Sequence, residues 1–296
     1  MTVTSDFAKG RLLVVAFEGW NDAGEAASGA IKTLRDQLDV ETLLSLEPED
    51  YFDYQFNRPL IGFDDEGRRT LVWPSIVLSG PQEADAAPDS VYLLLGTEPS
   101  RGWKTFAREI LDAVEANGIT GIVFLGAMLA DVPHTRPISV FTSSENPEVR
   151  EEFSIERSTY EGPVGILSVL ADAAETAGIP TVSIWASVPH YVHNAPSPKA
   201  TLALIDRLEE VIDVIITRGE LVDEAAAWES GIDALASDDD DMSSYIEQLE
   251  QARDTVDSPE ASGEAIAQEF ERYLQRDADG KDGGTAGDEP WRPPAV

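Results

Sequence analysis

Apolar side chains in this sequence come in two textures that alternate from Arg11 to about Arg218. The first is a short unbroken run, as in Arg11–Phe17, Val40–Leu46, Val91–Leu95, Ile122–Gly126 and Thr181–Ser187. Runs of this length, with β-branched residues, fit strands covered on both faces, as in a parallel sheet. The second texture repeats at helical spacing. Ala26, Ala27, Ala30, Ile31, Leu34 and Leu38 form one such stripe, and Trp103, Phe106, Ile110, Leu111 and Val114 form another that stops at Gly118. A further helix is expected from Pro163, where a first turn tolerates proline, to Ala177, closed by Gly178. Asn21 or Asp22 is the expected N-cap of the first helix, since its side-chain oxygen can accept an unpaired amide hydrogen. Tyr51–Pro59 reads as loop, Ser143–Thr159 as a polar stretch, and Arg69–Leu78 as one strand that Trp73-Pro74 interrupts or ends. This alternation predicts an α/β domain over residues 1–217, a three-layer fold around a mostly parallel sheet.

Past Arg218 the strand-like runs cease, and Glu220–Leu235, Met242–Val256 and Pro259–Leu274 read as helices. Residues 218–276 carry 17 acidic and 4 basic side chains, a net of −13, and are expected to form an acidic helical subdomain. Asp238–Asp241 precede a helix, where carboxylates meet the positive end of the backbone dipole. They lack the alternating acids, central glycine and closing glutamate of a calcium loop. Residues 277–296, rich in Gly, Asp and Pro, are expected to be a disordered tail. The 296-residue chain has a formal charge of −35, which disfavours nucleic-acid and anionic membrane partners. It has no cysteine, so disulfides, thiolate metal sites and cysteine nucleophiles are excluded. The first residues lack the basic and apolar segments of a signal peptide, and a cytoplasmic location is expected.

Candidate chemistry sits where two of the apolar runs end. Both lead into Val-Pro-His, at Val132-Pro133-His134 and at Val188-Pro189-His190, and these hold two of the three histidines. Ligand sites of open α/β sheets gather at the carboxyl ends of the strands. Glu18, Asp22 and Glu25 follow the first strand and Glu98 the third; with His134, Arg136 and His190 they are candidates for a mixed acid–base cluster. A plainer reading has Asp22 capping a helix, Arg136 pairing with Glu98 or Glu18, and the histidines donating to backbone carbonyls. Trp20, Trp73, Trp103 and Trp185 lie beside glycine, proline or strand ends, where they line a pocket or a protein contact, or simply pack the core. No phosphate loop, dinucleotide fingerprint, nucleophile elbow or His-Glu-x-x-His pair is present, so no cofactor and no metal is expected. His190 and His193 alone do not make a metal site, because no third ligand is evident.

Taken together, the segments Phe17–Ala27, Gly96-Thr97-Glu98-Pro99, Val132–Pro137, Tyr160–Gly165, Pro189-His190-Tyr191 and Ser197-Pro198-Lys199-Ala200 resemble the proteasome assembly chaperone 2 (PAC2) family, its actinobacterial branch above all. The resemblance covers roughly residues 10–275. It implies an α/β core of the phosphorylase/hydrolase-like kind followed by a helical piece. It also implies a non-catalytic assembly chaperone or interaction module that acts as a homo-oligomer, a trimer, on a proteasome-related protein partner. Glu18, Trp20, Asp22, Glu98, His134, Arg136, His190 and Tyr191 are then the ligand or interaction candidates, with no catalytic residue among them. The alternative is a small-ligand protein or enzyme using the strand-end cluster. Proteasome-docking relatives often end in a hydrophobic–tyrosine–any-residue tail. This chain ends Pro293-Pro294-Ala295-Val296, so its acidic helices are the expected contact surface.

Overall fold

The computed structural model describes residues 6–64, 66–82, 87 and 89–257. Its first half contains β1 (Leu12–Glu18), α1 (Ala26–Arg35), β2 (Glu41–Ser45), α2 (Pro48–Tyr51), β3 (Leu60–Phe63), β4 (Arg69–Val72), β5 (Ile76–Gly80) and β6 (Val91–Thr97). There follow α3 (Trp103–Ala116), β7 (Gly121–Ala130), β8 (Val140–Ser143), α4 (Pro147–Phe153), α5 (Ile166–Thr176), β9 (Thr181–Pro189), α6 (Pro198–Ile212), α7 (Leu221–Ser237) and α8 (Asp240–Asp257).

The unbroken apolar runs became the centre of a seven-stranded sheet, ordered β2-β5-β6-β1-β7-β9-β8. The pairings β6–β1, β1–β7 and β7–β9 are parallel, while β5 and β8 run against their neighbours. Five of the seven strands therefore point the same way. Alternation along β1 explains why its run is continuous. Leu12, Val14 and Ala16 enter a core shared with α1 and α6; Leu13, Val15 and Phe17 enter one shared with α3 and α5. Helices on both faces complete the three layers. Each of the larger side chains so buried contributes about 1.5–3 kcal/mol of transfer free energy.

Three segments differ from the sequence reading. Arg69–Leu78 is not one strand: β4 pairs with β3 in a separate two-stranded sheet, and β5 begins after Trp73-Pro74-Ser75 inside the large one. Proline has no amide hydrogen for a ladder, so the strand breaks where it stands. The polar stretch at 143–159 holds α4, whose first amides, Glu148 and Val149, donate to Asn146 Oδ1 at 3.0 and 3.2 Å. The helix expected from Pro163 starts at Ile166, at a cap described below. Beyond β9, α6 buries Leu204, Ile205, Leu208, Val211 and Ile212 against the sheet.

Contacts divide the chain into two compact units, Met1–Ser243 and Ser244–Val296. Helix α7 belongs to the first and packs on α6, burying Ala225, Ile232 and Ala236. The helix expected at Pro259–Leu274 and the tail at 277–296 lie outside the described residues. Among the described residues, no helix is long and apolar enough to cross a membrane.

Candidate functional site at the carboxyl edge of the sheet

Two parallel strands with diverging connections, β1 and β6, open a crevice at their carboxyl ends, the place where such sheets bind ligands. In this chain backbone hydrogen bonds tie the segment after β1 to its neighbours on both sides. The Glu98 amide donates to the Glu18 carbonyl at 2.9 Å, and the Ala127 amide donates to the Asn21 carbonyl at 2.8 Å. Glu98 turns its carboxylate inward. Its Oε1 accepts from Asn21 Nδ2 at 3.1 Å and from the Ile166 amide, the first of α5, at 2.9 Å. A carboxylate there faces the positive end of the helix dipole and satisfies an otherwise unpaired amide. Gly165 makes this approach possible, since a Cβ on it would lie 2.6 Å from Asn21 Oδ1 and 2.8 Å from Glu98 Oε1.

Asp22 serves α1 in the same way. Its Oδ1 accepts from the Ala27 amide at 2.8 Å and the Ser28 amide at 3.1 Å, while Oδ2 is buried without a partner among the described residues. Burial pushes its carboxyl above the usual carboxylate range, with the Glu18 charge adding to the rise and the hydrogen bonds to Ser28 and Ala27 opposing it. The same turn holds Gly24 in the left-handed region at φ 60°, and its carbonyl accepts from the Ser197 amide at 2.7 Å. Ser197 is fully buried and caps α6, which ties the start of one helix to the start of another. Glu18 is more open and pairs with Lys32 at 2.9 Å, and Trp20 stands largely exposed.

His134 occupies a different environment. It is 1% exposed, and its ring is held at both nitrogens: Tyr191 Oη lies 2.8 Å from Nδ1 and Asp233 Oδ1 lies 3.0 Å from Nε2. The His134 backbone amide also donates to Tyr191 Oη, at 2.7 Å. These contacts fit the tautomer in which Nε2–H donates to Asp233 and the tyrosine hydroxyl donates to Nδ1. The His134 carbonyl accepts from Lys199 Nζ at 2.5 Å, and Lys199 is ion-paired with Glu229. Trp228 stands edge-on to the imidazole at 6.4 Å. Glu229 and Asp233 lie four apart on α7, so this network fastens α7 to the ends of β7 and β9. The expectation that the histidines donate to backbone carbonyls is corrected here: His134 has side-chain partners, and His190 Nδ1 pairs with Asp131 at 3.2 Å.

The structure thus sorts the candidate residues into two groups. Glu98 and Asp22 serve helix N-termini around Asn21; His134 and Tyr191 join the β7 and β9 ends to α7. Arg136 Nη1 donates to Thr135 Oγ1 at 3.3 Å. Sequence reasoning gave no role to Asn21 beyond a cap, nor to Ser197, Lys199, Glu229 and Asp233. The i, i+4 spacing of the two acids on α7 was the available signal for the last pair. Two cavities lie beyond these groups. A groove of about 860 Å³ runs between α3 and α5, and one of about 410 Å³ lies beside α1 against β2, β5 and β6, lined by Glu18, Lys32 and Arg35.

Comparison with known proteins follows the same lines. The model of the PAC2 family matches residues 16–236. A PAC2 family protein from Streptomyces avermitilis is 44% identical with a TM-score of 0.72, the match covering 80% of this chain and 99% of the other. A proteasome-assembly chaperone homologue from Mycobacterium tuberculosis is 40% identical with a TM-score of 0.70, covering 79% of this chain and 99% of its own. PbaB, an archaeal proteasome activator from Pyrococcus furiosus, shares the fold at 14% identity and a TM-score of 0.60, covering 79% of this chain and 96% of its own. None of the curated proteins matches the chain.

Proposed function

We propose, from the premise that this chain belongs to the PAC2 family, that it is a non-catalytic, chaperone-like protein. It acts in the cytoplasm as a homo-oligomer, a trimer, on a protein partner related to the proteasome. One observation carries the non-catalytic reading. The polar groups at the sheet's carboxyl edge are turned toward the chain's own amides and side chains, as Glu98 toward Ile166 and Asn21, and His134 toward Tyr191 and Asp233. A general base must reach a substrate proton, and these groups are already engaged. The M. tuberculosis relative, described as a proteasome-assembly chaperone homologue, supports the choice of partner.

The partner's contact surface is the acidic face of α7 and the turn before it, where Glu220, Asp223 and Glu224 are exposed. The test is affinity capture from a host lysate with wild type and with the triple variant Glu220→Gln, Asp223→Asn, Glu224→Gln. The captured proteasome-related protein is expected to be lost with the variant while circular dichroism stays unchanged. An identical captured set would remove α7 from the reading. A thermal-shift series with nucleosides and inorganic phosphate runs alongside. A rise in melting temperature that disappears in Glu18→Gln would replace the chaperone reading with a small-ligand protein.

A further inference from the structure

The face of the large sheet that α1 covers is left bare toward β2. The core beneath α1 and α6 takes side chains from β1, β6, β7 and β9 and, among the described residues, none from β2 or β5. Ile76 and Leu78 of β5 belong to the opposite core. Residues alternate along a strand, so Ser75, Val77 and Ser79 are turned to the α1 side. The register sets Thr42 opposite Ser79, and Ser79 opposite Leu93, a residue of the core under α1. Directly opposed residues share a face, so Thr42 joins the same side. These strands floor the cavity of about 410 Å³, and α1 forms its wall. That volume lies within the roughly 300–1,000 Å³ of small-molecule sites.

The lining is unlike the rest of the molecule. The chain carries −35, yet Lys32 and Arg35, three apart on α1 and therefore on one face, both line this cavity, where Glu18 is the one acid among the described residues. Lys32 pairs with Glu18 at 2.9 Å, whereas the contact of Arg35 Nε with Asp36 is long, at 3.9 Å. Cations in the last turn of a helix meet the negative end of its dipole. That accounts for the two charges but not for the Thr42, Ser75 and Ser79 hydroxyls that line the same space. An anion suits this set, because a guanidinium takes a carboxylate through paired N–H donors and each hydroxyl can add another. The charge of the whole chain selects among anions: its repulsion grows with every ligand charge, so a monoanion is favoured over a phosphate dianion. Ile31, Val40, Val77 and Leu95 leave an apolar side to the space, suited to a short branched hydrocarbon. We infer that the cavity binds a small aliphatic monocarboxylate, its carboxylate on Arg35 and its hydrocarbon against Val77 and Leu95. Of the strand-end candidates the site uses Glu18, and it leaves the acidic α7 untouched, so it goes beyond the proposed function without competing with it.

Isothermal titration of the full chain with 4-methylpentanoate tests this. Wild type is expected to show saturable binding, tighter than that of inorganic phosphate. Arg35→Gln should weaken it by about 10-fold or more, the usual loss for a hydrogen bond to a charged group. Glu18→Gln should tighten it, since the change frees Lys32 and removes an acid from the lining. Neither Glu18 nor Arg35 belongs to the two cores, so circular dichroism should be unchanged in both variants. If Arg35→Gln fails to fold, Glu18→Gln decides alone. Binding that is unchanged or lost in Glu18→Gln overturns the site, and so does equal affinity in wild type and Arg35→Gln. Phosphate binding as tightly as 4-methylpentanoate overturns the monocarboxylate assignment. A titration with no saturable heat in the millimolar range overturns the inference and leaves the chaperone reading as it stands.

Discussion

Asp22 uses only half of its carboxylate. Oδ1 receives two amide hydrogens of α1, and Oδ2 is buried without a partner among the described residues. Such an arrangement favours the protonated acid, which is why burial raises its pKa. The linkage sign follows: the folded chain holds this proton more tightly than the unfolded chain. The group's contribution is therefore most favourable below the unfolded value, near 3.8, and is lost as pH climbs through the raised folded value. Asp22→Asn keeps an oxygen for Ala27 and Ser28 and removes the charge. We expect it to match or exceed wild-type stability at pH 7, with the difference closing toward about pH 4 as the wild-type carboxyl protonates. Asp22→Ala loses the cap and should cost about 1 kcal/mol. Urea midpoints at several pH values decide this; an Asn variant clearly weaker at pH 7 would mean that the ionised cap is itself stabilising.

At the scale of elements, α7 is fastened to the sheet by one buried side chain and by more exposed ones. His134 is 1% exposed and its partner Asp233 is 59% exposed. Removing the buried member leaves Tyr191 and neighbouring groups without their partner, while the exposed member can turn to water. His134→Ala is therefore expected to cost about 2 kcal/mol or more. Asp233→Asn, which retains an acceptor for Nε2–H, should cost less than about 1 kcal/mol. Chemical denaturation of the two variants gives the comparison, and equal costs would mean that the imidazole is not the anchor. The sequence pattern placed the central strands well: the starts of β1, β6, β7 and β9 fall within one residue of the expected ones. Buried parallel strands must be continuously apolar, so their texture is unmistakable. The β3–β4 pair was lost because its apolar residues lack that texture, and Pro74 separates β4 from β5 where one run had been read. That Asp22 would accept amide hydrogens of the first helix was legible, being local, although the N-cap position itself falls at Glu25, after an intervening 3-10 turn. The partners of Glu98 and His134 were not, since they come from residues 68 and 99 positions away, brought together only by packing.

For the whole molecule, the dominant fact is an uncompensated charge of −35. Local ion pairs such as Arg218 with Asp206 and Glu209, or Arg207 with Glu210, offset little of it, because partly exposed pairs of this kind are worth about 0–1 kcal/mol each. Salt weakens those pairs, but it also screens the repulsion among the remaining acids, which outnumber them. The second effect should win. Raising NaCl from near zero to about 0.5 M shortens the screening length well below 10 Å, and the melting temperature should rise by several degrees as self-repulsion fades. The same screening should strengthen association between copies of so acidic a chain. It should weaken the attraction of a basic partner to Glu220, Asp223 and Glu224. Differential scanning calorimetry and sedimentation velocity over one salt series measure the first two effects together. A melting temperature that falls with NaCl would show that specific ion pairs, not net charge, govern this fold. Self-association that weakens with salt would place attractive charge pairs, rather than apolar cover, at the contact between copies.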